Sequence, residues 1–312
     1  MIISAWKKLS FQLLAIGALI LGGNMVITDL GGVFGIHEIP VWAGISITFF
    51  TMVVVVNSYN LIDGIDGLAA GIGTIASLFF GGWFWYVGLY AEATVSFTLA
   101  GALTAFLFYN FEPASIFMGD TGSQVVGFIL AFLAVRFVDF GISTDMAVPF
   151  KNEVPVLILA LLIVPLYDTL RVFCIRCFQK QSPFTSDQLH VHHQLLNMGF
   201  SHGKTCLIIY SVNLSIIGMT ILLSGSDVNF LFFAVLGGAI GMFSTFGIKR
   251  KILASMRIRM PSARNITTQK ERLGLNEKEV GRDSKIGAFN GINRDGVEKE
   301  KEEEEELVVE KV

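Results

Sequence analysis

Long apolar runs alternate with short polar interruptions along most of this chain. Uncharged runs occur at Leu9–Thr28, Ile39–Ile62, Gly67–Ala91, Ala93–Phe111, Thr205–Ser226 and Val228–Ile248, each 19 residues or longer. Crossing a hydrocarbon core of ~30 Å takes about 20 apolar residues in a helix. Two shorter runs, Thr121–Val135 and Val154–Tyr167, reach that length if Arg136 and Asp168 sit near helix ends and snorkel. The runs are apolar all round, not along one stripe, so a soluble bundle of amphipathic helices does not fit. The pattern predicts an all-α, polytopic membrane protein with about eight transmembrane helices.

Composition sharpens this picture. Of 312 residues, 53% are hydrophobic and 16% charged, against about 25% charged in soluble domains. Half of the 26 acidic residues fall within 262–312. The chain therefore divides into a membrane domain, 1–261, and a polar tail, 262–312, that ends in Glu302–Glu306 and reads as disordered. The net charge of −3 averages two unlike regions and identifies no partner. Three cysteines suggest no disulfide framework, and the Cys174/Cys177 pair reads as ordinary helix-end residues. No cleavable signal peptide and no internal repeat of the transporter kind stand out.

Lys and Arg in short loops set orientation. Lys7, Lys8, Arg171, Arg176, Lys180, Lys204, Lys249, Arg250, Lys251, Arg257 and Arg259 fall on one side of an eight-helix arrangement, and Lys151 on the other. Both termini are expected in the cytoplasm, with the chain in the plasma membrane as a multi-pass protein.

Four polar clusters interrupt the apolar pattern: Asn57–Gly67; Asn110-Phe111-Glu112-Pro113 leading to Phe117–Ser123; Pro165-Leu166-Tyr167-Asp168; and Ser182-Pro183-Phe184-Thr185 through Asp187 to His190-Val191-His192-His193. In this orientation all four lie at cytoplasmic helix ends, which predicts one active site there. Carboxylates beside lipid are costly, so Asp63 and Asp66 are expected to face a polar cavity. Asn57, Asn60 and Asp63 step by three, and Gly64 and Gly67 are expected to loosen the helix end so that Asp63 and Asp66 converge. Helix capping is the plainer reading of the pair. Gly119-Asp120-Thr121-Gly122 opens an apolar run, where a helix start offers N–H groups to phosphate and an Asp suits Mg²⁺. A plain N-cap explains Asp120 as well. His190, His192 and His193 suit a diphosphate as cationic or hydrogen-bonding imidazoles; a zinc site and a basic membrane-surface loop are the rivals. Asp168 reads equally as a site residue or as a structural partner of Arg171.

These residues resemble, in order, the signatures of the polyprenyl-phosphate N-acetylhexosamine-1-phosphate transferases (glycosyltransferase family 4). The motifs are Asn60-Leu61-Ile62-Asp63-Gly64-Ile65-Asp66-Gly67, Phe117–Ser123, Pro165–Asp168 and Ser182-Pro183-Phe184 through His190–His193. The resemblance runs from about Lys7 to Arg259, and the His-x-His-His loop is similar to that of the undecaprenyl-phosphate N-acetylglucosamine-1-phosphate transferase branch. It implies transfer of a sugar-1-phosphate, expected to be N-acetylglucosamine-1-phosphate, from a UDP-sugar to undecaprenyl phosphate with release of UMP, the first membrane step of a cell-envelope glycan. By motif position it implies catalytic roles for Asp63, Asp66 and Asp120, and Mg²⁺, with Mn²⁺ as a substitute, on Asp120 and Asp66. It implies substrate contacts at Asn57, Asn60, Asn110, Phe117, His190, His192 and His193. The expected partners are a UDP-sugar, a polyprenyl phosphate lipid, the membrane and a second copy in a homodimer; nucleic acid is not expected. Members of the family carry an Asp-Asp pair and about three helices ahead of the segment that resembles Lys7–Ile20, where this sequence has Met1–Trp6. That departure reads as a truncated form of an active enzyme, and the chain as written is expected to have little transferase activity. An inactive membrane paralogue, or a scaffold lacking the acceptor site, is the alternative; a transporter on the same scaffold is the third reading.

Overall fold

A computed structural model describes residues 5–23, 25–144, 146–180 and 190–259, apart from the side chains of residues 5–6 and 245–259. The tail, 262–312, and the Ser182–Asp187 part of the fourth cluster lie outside the described residues. The chain divides into two units, Met1–Ser255 and Met256–Val312; the helical bundle and its polar clusters belong to the first.

Each apolar run forms one helix except Val154–Tyr167, which contributes to two, and with a short helix at the histidines ten α-helices are described. They are α1 (Ala5–Gly23), α2 (Val41–Leu61), α3 (Leu68–Tyr86), α4 (Tyr90–Asn110), α5 (Gly119–Ser143), α6 (Val154–Leu161), α7 (Ile163–Phe178), α8 (Val191–Leu196), α9 (His202–Leu222) and α10 (Val228–Arg259). Five of them, α2, α3, α4, α5 and α9, are long and apolar enough to cross a membrane, and the bent pair α6–α7 makes a sixth candidate. This is the architecture of a polytopic membrane protein. The only paired extended backbone among the described residues is a single bridge between Asp29 and Glu38.

The packing is a bundle in which α3 lies along α4 and α2 along α5, with α1 against α2 and α9 against α3 and α6. At one end, Trp83 and Phe137 join α3 to α5 with ring centroids 4.5 Å apart. That end also holds Arg136, which does not terminate its helix as expected. α5 continues to Ser143, and the guanidinium is paired with Glu92 at 2.8 Å and Asp139 at 3.0 Å. Pairing removes the need to snorkel, because a charge held between two carboxylates is already compensated.

The Val154–Tyr167 run also departs from expectation. It is broken at Leu162, with its halves bent by 75°. Pro165 explains the break: it has no N–H to give the carbonyl of Leu161, and its ring crowds that carbonyl. A broken helix in an apolar environment leaves carbonyls that neighbours must satisfy. Asn213 on α9, fully buried, donates its amide to the Ala160 carbonyl at 3.1 Å. Asn213→Leu keeps the volume and deletes that donor, so it is expected to cost about 1–3 kcal/mol, read as a lower unfolding temperature in detergent. Asp168, expected near a helix end, lies instead in the interior of α7 and is buried.

Candidate functional site

The end of the bundle opposite the Arg136 cluster is built by the loop between α2 and α3, and the clusters that are distant in sequence meet around it. α2 ends at Leu61, and the chain turns through residues 62–67 before Gly67, at φ +85°, opens α3. A side chain there would be strained by the left-handed backbone. Four groups hold this turn. The Asn110 side-chain oxygen accepts the Gly67 N–H at 3.0 Å, while its amide donates to the Ile116 carbonyl at 2.9 Å. Tyr210 donates to the Gly67 carbonyl at 2.6 Å, and Tyr59 to the Ala69 carbonyl at 2.6 Å. The Cys206 thiol reaches the Asp66 carbonyl at 3.1 Å. Asn110, expected as a substrate contact, is therefore a buried clamp with both ends of its amide engaged.

On one flank of the turn stands Asp63. Its carboxyl is pushed up to about 6, first by burial and then by the charge of Asp120, against a Gly119 N–H that favours the carboxylate. Asp120 opens α5. It pairs with Lys8 of α1, and Asn60 reaches it at 3.5 Å while donating to the Ser123 hydroxyl at 2.6 Å. One turn further into α2, Asn57 donates to Gln12 of α1 at 3.1 Å. Beside these residues a groove of about 370 Å³ runs from Lys8 and Asp120 to Phe11, Ala15, Val125 and Phe128. Its head is charged and its body apolar. Phe117, just ahead of α5, has 75% of its surface exposed.

Asp66 does not join Asp63, contrary to the expected convergence. It stands on the other flank, where it accepts the Ala114 N–H at 3.3 Å and faces His202 Nδ1 at 3.3 Å. The reason is the turn itself: after Asp63 the chain reverses towards the start of α9. Glu112 caps that start, accepting the Gly203 N–H at 2.6 Å. The Gly203 N–H, then the Ser201 hydroxyl and the His202 N–H, holds the Glu112 carboxyl below the usual range.

The histidines close the third side. A Cβ on Gly64 would lie 2.7 Å from His192 Nε2, so the imidazole rests on a backbone that only glycine leaves open. Burial pushes His192 down to about 4, with further lowering from His193, His190 and His202 against an opposing pull from Asp168. His192 is thus held in its neutral form at pH 7. The unfolded imidazole binds a proton below its ordinary 6.5 and the folded one resists until about 4. Stability should therefore fall as pH drops through that window. His192→Gln is expected to flatten this part of the unfolding-temperature profile between pH 7 and 4.

Asp63 and Asp120, with the Gly119 N–H, are the acidic pair suited to a divalent cation; Asp66 lies apart from Asp120's partners. Among the described residues, no three His, Cys, Asp or Glu side chains gather as a metal cage. That observation disfavours an all-protein zinc site at the histidines. It leaves room for Mg²⁺, which takes one or two carboxylates and completes its shell with water and substrate phosphate. Lys8 and His202 join the site although no sequence motif singles them out, and Ser123, the last residue of the Phe117–Ser123 motif, joins it as the acceptor of the Asn60 amide. Lys8 and Gln12, four apart on α1, share a helix face, and that spacing is the available signal.

Residues 1–138 match the family described as Glycosyl transferase family 4. A decaprenyl-phosphate N-acetylglucosaminephosphotransferase of Mycobacterium tuberculosis is 34% identical, over 67% of this chain and 55% of the relative. A probable undecaprenyl-phosphate N-acetylglucosaminyl 1-phosphate transferase of Bacillus subtilis is 35% identical, over 55% of this chain and 46% of the relative. An undecaprenyl-phosphate alpha-N-acetylglucosaminyl 1-phosphate transferase of Escherichia coli K12 is 27% identical, over 60% and 50%. The chain spans about half the length of the curated relatives it matches. The family match covers α1 to most of α5, the segment that carries Lys8, Asn60, Asp63 and Asp120.

Proposed function

We propose that this protein is a membrane phosphoglycosyl transferase that moves N-acetylglucosamine-1-phosphate from its UDP-sugar to undecaprenyl phosphate, an early membrane step of envelope glycan synthesis. The observation that carries this reading is Asp120, paired with Lys8 and close enough to Asp63 to raise its pKa, at the head of a groove with an apolar body. A polyprenyl phosphate has the same division, an anionic head on a hydrocarbon tail. The excess of Lys and Arg at this end favours a cytoplasmic location, where a UDP-sugar is available.

In the reaction, an oxygen of the acceptor phosphate attacks the sugar-bearing phosphorus. A new P–O–P bond forms, the P–O bond to the α-phosphate breaks, and UMP leaves with the electron pair. The acceptor is already anionic and needs little base; the obstacle is bringing anions together. Asp63 and Asp120 would hold Mg²⁺, or Mn²⁺ in its place, which when bound would neutralise charge on the diphosphate. Lys8 supplies a fixed cation at the groove head and would hold the acceptor phosphate. Asn60 and Ser123 orient Asp120. Phe117 offers an exposed ring face to the uracil. The histidine wall would face the phosphates, and Asp66 with His202 lines the opposite flank.

The test is transfer of radiolabel from UDP-N-acetylglucosamine into organic-extractable lipid, in membranes expressing the full-length protein, with UMP released in equal amount. Absence of lipid-linked product with every UDP-N-acetylhexosamine tried would overturn the proposal in favour of a non-catalytic membrane protein.

A further inference from the structure

Within the histidine wall, His190 is backed by a buried carboxylate, Asp168, which has no direct contact role in the phosphoryl transfer described above. Asp168 is 3% exposed and His190 8%. Asp168 Oδ2 lies 2.8 Å from His190 Nδ1, and Oδ1 accepts the Val191 N–H at 2.8 Å. Both oxygens thus contact the point where the chain enters α8. The His190 ring lies parallel to that of His192, with centroids 5.5 Å apart and planes within 10°. His192 in turn rests on Gly64, next to Asp63. A continuous contact path therefore joins Asp168 to the acidic turn.

We infer that Asp168 is a positioning residue, which holds His190 by Nδ1 so that its Nε2 is the nitrogen presented to a phosphate oxygen of the substrate. The consequence for catalysis rests on the transferase reading; the pairing itself does not. Burying a carboxylate costs several kcal/mol unless it is paired and hydrogen-bonded. Capping α8 needs one oxygen, and a neutral Asn would serve. The second oxygen does a different job. The hydrogen bond at one ring nitrogen decides the protonation of the other. An acceptor-only carboxylate at Nδ1 requires a proton there. His190 is then either the Nδ1–H tautomer, or an imidazolium whose Nε2–H donates to an anion while Asp168 balances its charge. The charged and titratable groups facing His190 among the described residues are Asp168 from α7 and His192 and His193 from α8.

Asp168→Asn separates capping from positioning. Its amide oxygen still accepts the Val191 N–H, but its NH₂ now meets Nδ1 and demands a lone pair there, which moves the proton to Nε2. The same inversion is what the Asp-to-Asn change produces in a serine-protease triad. Nitrogen-15 NMR of histidine-labelled protein in detergent reads the tautomer directly. Expected are an Nδ1–H His190 in the wild type at neutral to alkaline pH, an Nε2–H His190 in Asp168→Asn, and an unfolding temperature that hardly moves. Turnover should fall at least about tenfold, as for other residues that orient a ligand-binding imidazole. In a His190→Gln background the Asp168→Asn change should cost nothing further. An unchanged tautomer, or an equal cost in the His190→Gln background, would overturn the inference. If the wild type transfers no sugar phosphate, the transferase reading fails, and the NMR result still decides the pairing.

Discussion

Asp120→Asn is expected to lower sugar-phosphate transfer at least about a hundredfold, the scale of removing one charge-stabilising group from a preorganised site. The substitution is close to isosteric. Its amide oxygen can still accept from Asn60, and α5 keeps a polar first residue, so the fold should survive. What is lost is the anion that pairs with Lys8 and, with Asp63, would hold the divalent cation. Raising Mg²⁺ should not restore turnover. Asp63→Asn supplies the control. It too should suppress transfer, yet in EDTA it should raise the unfolding temperature, because it removes a carboxylate that both burial and Asp120 oppose. A loss of activity paired with a gain of stability is the mark of a group retained for chemistry at the expense of the fold. Assays of labelled lipid product, alongside unfolding curves of the same preparations, measure both. Full activity in Asp120→Asn would remove it from the metal role.

Much of this arrangement can be read from the sequence, for identifiable reasons. Apolar runs of membrane length have few structural options, so the helices and their order follow from hydropathy. Asp63 and Asp120 stand out because a carboxylate beside an apolar run needs a compensating environment. Pro165 within an apolar run is the visible sign of the break at Leu162, although run length alone suggests one straight span. Other features depend on pairings that no local pattern encodes. Asp168 and Arg171 have good helical spacing, and either could be the other's partner. The geometry also brings both Asp168 oxygens to partners more than 20 positions away, His190 and the Val191 N–H. Asn110 resembles a ligand-binding amide because its surroundings are polar, and only the fold reveals that Gly67 and Ile116 consume it. The parting of Asp63 and Asp66 has the same origin. Two residues three apart share a face only while the helix continues, and α2 ends at Leu61, ahead of both.

The turn that separates them depends on α3 being thin at its start, and this makes Gly71 the most sensitive position in the scaffold of the site. Two tyrosines tether the first turn of α3, Tyr210 of α9 at the Gly67 carbonyl and Tyr59 of α2 at the Ala69 carbonyl. Each hydroxyl lies over a glycine. A Cβ on Gly71 would fall 2.0 Å from the Tyr210 hydroxyl oxygen and 2.1 Å from its ring carbon Cζ, and one on Gly73 would fall 2.4 Å from the Tyr59 hydroxyl. Gly71→Ala must therefore expel the tyrosine, break its hydrogen bond to Gly67 and part α9 from α3. Overpacking costs about 1–3 kcal/mol and the lost hydrogen bond about 1 kcal/mol more, so a destabilisation of about 2–4 kcal/mol is expected. Because Gly67 closes the turn that carries Asp63 and Asp66, transfer should fall by more than the unfolded fraction explains. Tyr210→Leu supplies the rescue: it removes the hydroxyl and the ring, so the double variant should lose less stability than the two single losses added together. Strict additivity would show that the tyrosine does not occupy the space above Gly71 and that the α3–α9 contact is not what holds the turn.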